Sequence, residues 1–166
     1  MDAITLLTAQ HHALRQLLAT LQSTQTAAAR ERSFVELARL FVLHAGIEED
    51  VLYAELDRHE QTAELARNAF QDHHRIDRHF DELSGLESID AEWSKALYDL
   101  AEVLEHHLDE EERELFPRIL NLLDHAGYQT LSIALNERLT LLTRQLDDEV
   151  TGHSAQDFTH HRRIHH

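Results

Sequence analysis

Residues 37–56 and 100–119 are two versions of one segment, LARLFVLHAGIEEDVLYAEL and LAEVLEHHLDEEERELFPRI. Leu37/Leu100, Ala38/Ala101, His44/His107, Glu48/Glu111, Glu49/Glu112 and Leu52/Leu115 are identical, and Tyr53 stands opposite Phe116. Upstream, QHHALRQLL at 10–18 aligns with DHHRIDRHF at 72–80. The offset is 62 residues for this pair and 63 for the longer one. A repeating unit of this size cannot bury its apolar face alone and must stack on its copy. The chain is therefore constrained to pair two similar halves, with matching residues facing each other across a pseudo-two-fold axis.

Each half reads as a helical hairpin. Ile4, Leu7, Leu14, Leu18 and Leu21 recur at helical steps, as do Leu37, Leu40 and Val51. Phe70, Ile76, Phe80 and Leu83 form a third stripe, and Leu97, Leu100, Leu104, Leu115 and Ile119 a fourth. A fifth runs through Leu131, Leu135, Leu139, Leu142 and Leu146. Polar breaks fall at 22–32, 57–62, 84–90 and 125–129, with Ser84-Gly85 and Ala126-Gly127 suited to helix ends. The expected fold is all-α: an up-down-up-down four-helix bundle built from two repeated hairpins, plus an additional C-terminal helix. Residues 1–150 form this bundle, and the polar, His-rich stretch 151–166 is expected to be loose. Only 4 Gly and 1 Pro occur, too few for the many turns of a sandwich or barrel.

Six polar residues interrupt the apolar stripes: His11, His44, Glu48, His73, His107 and Glu111. His44 and Glu48 are four apart, on one helix face, and so are His107 and Glu111. The alignment selects His107 over His106, because only His107 pairs with His44 and lies on the stripe of Leu100 and Leu104. His12, His74 and His106 fall on helix flanks. Buried imidazoles and carboxylates are costly without partners. Four imidazoles and two carboxylates converging inside a bundle fit a dinuclear metal site. Two octahedral ions offer roughly twelve positions. The imidazoles fill about four, bridging carboxylates about four and a shared oxo or hydroxo bridge about two. Roughly one per metal stays open, as a reactive site requires. Zinc is less natural, because its tetrahedral sites seldom need six protein ligands. Glu49 and Glu112 recur beside these residues, either orienting them or forming a solvated face. Tyr53 and Phe116 are read as packing residues. Asp77 and Glu110 stand close enough for their participation to stay open.

Composition narrows the partners. His numbers 15 in 166 residues, while Asp+Glu 31 against Lys+Arg 15 gives a net charge of −16. Such a charge repels phosphate backbones, which argues against nucleic acid and anionic membranes. With Cys 0, thiolate catalysis and Cys-ligated iron–sulfur clusters are excluded. No basic leader and no apolar run of membrane-span length is present, so a cytoplasmic protein, monomeric or homodimeric, is the expectation.

The pattern His11, His44-x-x-x-Glu48, His73, His107-x-x-x-Glu111 resembles the hemerythrin-like, HHE cation-binding family. The flanks GIEEDVLYAEL and EEERELFPRIL, with the Phe116-Pro117 step, are similar too, and the likeness spans about residues 1–125. The resemblance implies a non-haem di-iron centre, two irons per chain, with manganese or zinc less suited. Such a centre meets dioxygen, hydrogen peroxide or nitric oxide. Oxygen-carrying hemerythrins have a further His four residues after the third-helix ligand, where this chain has Asp77. That departure speaks against reversible oxygen carriage. Shorter bacterial relatives with four His and two Glu include proteins that decompose peroxide, which implies catalase-like chemistry. Oxygen, nitric oxide or iron sensing without turnover is the alternative.

Overall fold

A computed structural model describes residues 1–88 and 90–150, and the stretch expected to be loose, 151–166, lies outside them. Among the described residues the regular structure is helical throughout. Helix α1 is Ala3–Ser23. Helix α2 runs over 27–56, with α-helical Ala27–Ile47, a π-helical segment Glu48–Tyr53 and a closing turn Ala54–Leu56. Helix α3 is Glu60–Ser84. Helix α4 runs over 91–122 and repeats the pattern of α2: α-helical Ala91–Glu110, π-helical Glu111–Leu115 and α-helical Phe116–Leu122. Helix α5 is His125–Val150.

Neighbours in sequence are neighbours in space. Helix α1 packs on α2, α3 on α4, α2 on α3 through its π segment, and α4 returns to α1. Short connections force consecutive helices to run antiparallel, which gives the up-down-up-down bundle. Helix α5 lies outside, across α1 and α2. Gly46 permits that approach, since a Cβ there would meet Leu142 Cδ1 at 2.8 Å.

Two breaks differ from the sequence expectation. The 22–32 stretch is mostly helix, because Thr26 accepts from Ala29 N at 3.3 Å and starts α2 there. The fourth break comes before His125, so Ala126-Gly127 opens α5 instead of ending α4. The side chain of Asp124 accepts from Gly127 N at 2.8 Å and starts that helix. The Gly85 end of α3 is as expected.

The core is two apolar layers. One holds Leu14, Leu18, Phe41, Ile76, Phe80, Trp93, Leu100 and Leu104. The other holds Leu7, Ile47, Leu52, Leu56, Leu115, Ile119, Leu131 and Leu135. Each bundle helix passes from one layer to the other, and on each the passage falls at His11, His44/Glu48, His73 or His107/Glu111. A polar layer is thus sealed on both sides by hydrocarbon.

Helix α5 also satisfies the start of α1, whose first amides lack partners within their own helix. Ala3 N donates to Ser132 Oγ at 2.9 Å and Ile4 N to Tyr128 Oη at 3.2 Å. Asp2 accepts from Thr5 N at 3.0 Å and from the Tyr128 hydroxyl at 2.7 Å.

Candidate metal centre

The structure brings all six candidate residues together. His11, His44, Glu48 and His73 are fully buried, and His107 and Glu111 are 1% and 2% exposed. Their donor atoms fall into two overlapping groups, His44, Glu48, His73, His107 and His11, His44, Glu48, Glu111, each with its atoms within 4.8 Å of one another. Neither group contains Asp77, which is half-buried on α3. Glu110 sits at the edge, 3.8 Å from the exposed His106.

Carboxylates outside the cluster orient the imidazoles. His73 Nδ1 donates to Glu49 Oε1 at 2.8 Å, and His11 Nδ1 donates to Glu112 Oε1 at 2.8 Å. A carboxylate only accepts, so both protons lie on Nδ1 and both Nε2 lone pairs face inward. The pairs are related by the internal repeat: each half supplies the carboxylate that holds the other half's histidine. His44 Nδ1 donates to Gln10 Oε1 at 3.2 Å. Arg15 donates to Glu112 Oε1 at 2.8 Å and also grips Glu105 and Asp109. Of the two readings left open for Glu49 and Glu112, the contacts are those of orienting groups.

Tyr53 is the residue that the helical pattern misplaces. An α-helix turns about 100° per residue, so a side chain five positions after Glu48 points about 140° away. The π segment brings i and i+5 onto one face. Tyr53 Oη therefore donates to Glu48 Oε2 at 3.1 Å and reaches across to Glu111 Oε1 at 2.6 Å, with His73 Nε2 at 3.1 Å. Tyr53 is a member of the cluster and more than a packing residue. The signal lay in the repeat, which sets Tyr53 beside Phe116 at the same distance from each Glu. Phe116 N donates to Glu111 O, a five-residue π bond that closes the turn before Pro117. Ring contacts recur across the axis: Tyr53 lies tilted on His73 at 5.2 Å and Phe116 stacks on His11 at 5.4 Å between centroids.

The match fails at one atom, because Phe116 carries no hydroxyl. The buried atoms His11 Nε2, Glu111 Oε2, Glu48 Oε1 and His44 Nε2 have no hydrogen-bond partner. The first three belong to the residues that the repeat pairs with His73, Glu48 and Glu111, the three that Tyr53 serves. His11 Nε2 lies 3.3 Å from Glu111 Oε2 and His44 Nε2 3.2 Å from Glu48 Oε2, lone pair toward lone pair. His73 Nε2 and His107 Nε2 are 3.0 Å apart. Too few protons are present to satisfy these acceptors, and unsatisfied buried acceptors are costly. Cations would satisfy them, so the residues present fit bound metal.

The electrostatics agree. Burial lowers the His44 pKa well below its usual value, and the neighbouring His11 adds to this. Burial likewise lowers His107 to about 4. Neutral imidazoles with free lone pairs result at neutral pH. Burial and the charge of Glu111 push Glu48 up, the cost of a second carboxylate in the same buried layer. Burial and both carboxylates push the Tyr53 phenol up, so it keeps its proton.

The family described as the hemerythrin HHE cation binding domain matches residues 2–119. Among solved structures, a hemerythrin HHE cation binding domain-containing protein, the Rv2633c homolog from Mycobacterium kansasii, is similar in fold. It is 20% identical, with a TM-score of 0.81 over 96% of this chain and 99% of that one. No curated protein sequence matches this chain.

Proposed function

Since the chain belongs to the hemerythrin HHE cation-binding domain family, we propose that its polar layer holds two iron ions and acts on hydrogen peroxide or dioxygen. His11, His44, His73 and His107 would hold the ions through Nε2, and Glu48 and Glu111 would hold them through carboxylate oxygens. The observation that carries this reading is the set of buried ligand atoms without a hydrogen-bond partner. Manganese and zinc suit the set less well.

When bound, the irons supply the reversible electron changes that let two hydrogen peroxide molecules become two waters and one dioxygen. The chain supplies the rest. Its apolar layers exclude water, and the sealed donors admit only a small reactant. Tyr53 Oη holds a proton between Glu48 and Glu111, next to where peroxide protons must go. With Cys 0, the chain has no thiol of its own to act as reductant, which favours disproportionation over peroxidation through a protein thiol. On the Phe116 side the buried acceptors have no hydroxyl to serve them.

Binding or sensing without turnover is the second reading. It draws on Arg138 of α5, which grips Asp50, two residues beyond Glu48, at 2.7 Å. A change at Glu48 would reach α5 through that pair. Oxygen evolution from peroxide, lost in His44→Ala and Glu111→Ala, tests the enzyme. A stable adduct of oxygen or nitric oxide without turnover would assign the sensor.

A further inference from the structure

The six candidate ligands are so deeply buried that ions need a route to them. His107 and Glu111, the two with any residual exposure, both line a narrow recess between α3 and α4, whose enclosed volume of about 10 Å³ has room for about one water. Leu65, Ala69 and Leu115 form its apolar wall, and Asp72, Glu110 and Glu114 stand at its rim.

Side-chain exposure falls inward along the recess: Glu114 54%, Glu110 42%, Asp72 15%, Glu111 2%, His107 1%. Glu111 lines the recess and carries a buried oxygen, Oε2, without a hydrogen-bond partner. The rim carboxylates have cationic neighbours. Arg75 holds Asp72 at 2.8 Å, Arg118 reaches Glu114 at 3.6 Å and His106 reaches Glu110 at 3.8 Å. The latter two are longer than hydrogen bonds, so an arriving cation displaces little. Three of the five groups sit in or beside the π segment Glu111–Leu115, where helix α4 departs from its regular ladder.

We propose that this recess is the loading route for divalent cations, with Glu114, Glu110 and Asp72 as successive transient oxygen ligands before Glu111 and His107. Hard divalent ions take carboxylate oxygens readily, and carboxylates lining a recess with apolar walls raise the local concentration of cations. The inference rests on the metal-binding reading above and adds a path to it.

The test follows cobalt(II) uptake by the metal-free full chain in stopped flow, monitoring the visible bands of the bound ion. Asp72→Asn/Glu114→Gln should load at least tenfold more slowly, and extra salt should slow the wild type more than this variant. Both should end at the same number of ions per chain, which also reports an intact fold. Glu31→Gln/Glu36→Gln removes the same charge from an exposed part of α2 and should load at the wild-type rate. If the rim variant loads as fast as wild type, or both variants slow equally, the route is overturned while the metal-binding reading stands. A wild-type chain that takes up no metal overturns both.

Discussion

The hydroxyl of Tyr53 lies 2.6 Å from Oε1 of Glu111, joining the first helical hairpin to the second at the middle of the bundle. The same oxygen is 3.1 Å from Glu48 Oε2 and from His73 Nε2. Three acceptors on one side of the pseudo-two-fold axis thus lie within reach of one phenolic proton, with the shortest contact to Glu111. On the other side Phe116 provides none, and the corresponding acceptors have no partner.

Tyr53→Phe should therefore destabilise the metal-free protein by about 1–3 kcal/mol, the cost of leaving buried acceptors unserved. Phe116→Tyr should do the reverse, by giving His11, Glu48 and Glu111 a donor. Urea unfolding of metal-free protein checks both. In the metal-loaded protein, Phe116→Tyr should block azide binding while leaving the metal content unchanged.

Glu49 and Glu112 hold His73 and His11 in one tautomer from opposite halves. Glu49→Ala or Glu112→Ala should each weaken metal binding by about 10–100-fold, the usual effect of removing an orienting carboxylate. Chelator competition measures it. The exposed Glu36→Ala should leave affinity unchanged.

Asp2 ties the pH dependence of stability to the α1–α5 junction. Hydrogen bonds from the Thr5 side chain, the Thr5 amide and Tyr128 lower its pKa from 3.8 to about 2. The folded value lies below the unfolded one, so this stabilisation is complete above about pH 4 and is lost as pH falls through about 2. Asp2→Asn keeps a cap but should flatten the stability slope over that window. Asp2→Ala should lower the melting temperature by about 2–4 °C. Thermal scans across pH check both.

Metal should stabilise the fold, because its donors are assembled only in the native state. At a free metal concentration 1000 times Kd the gain is about 4 kcal/mol. Calorimetry of metal-free and loaded protein measures it. Equal melting temperatures would count against a buried centre.

Much of this was legible in the sequence because it follows from periodicity. Apolar stripes mark the helices, and the repeat picks His107 over His106 and aligns Glu48 with Glu111. What escaped was local. No α-helical spacing puts Tyr53 with Glu48, because the two meet only through a π turn. The start of α2 at Ala27 was hidden because its first turn, Ala27 to Arg30, carries no large apolar residue to mark a stripe, although Thr26 is an ordinary cap. The early start of α5 turned on one side chain, Asp124, bonding to Gly127 N.

The most direct measurement is metal content and the ultraviolet–visible spectrum of the chain made without an added tag, before and after hydrogen peroxide. The account predicts two irons per chain, oxo-bridge absorption bands and evolution of dioxygen. A chain that binds no iron, or zinc alone, with the same melting temperature before and after metal addition, would contradict it.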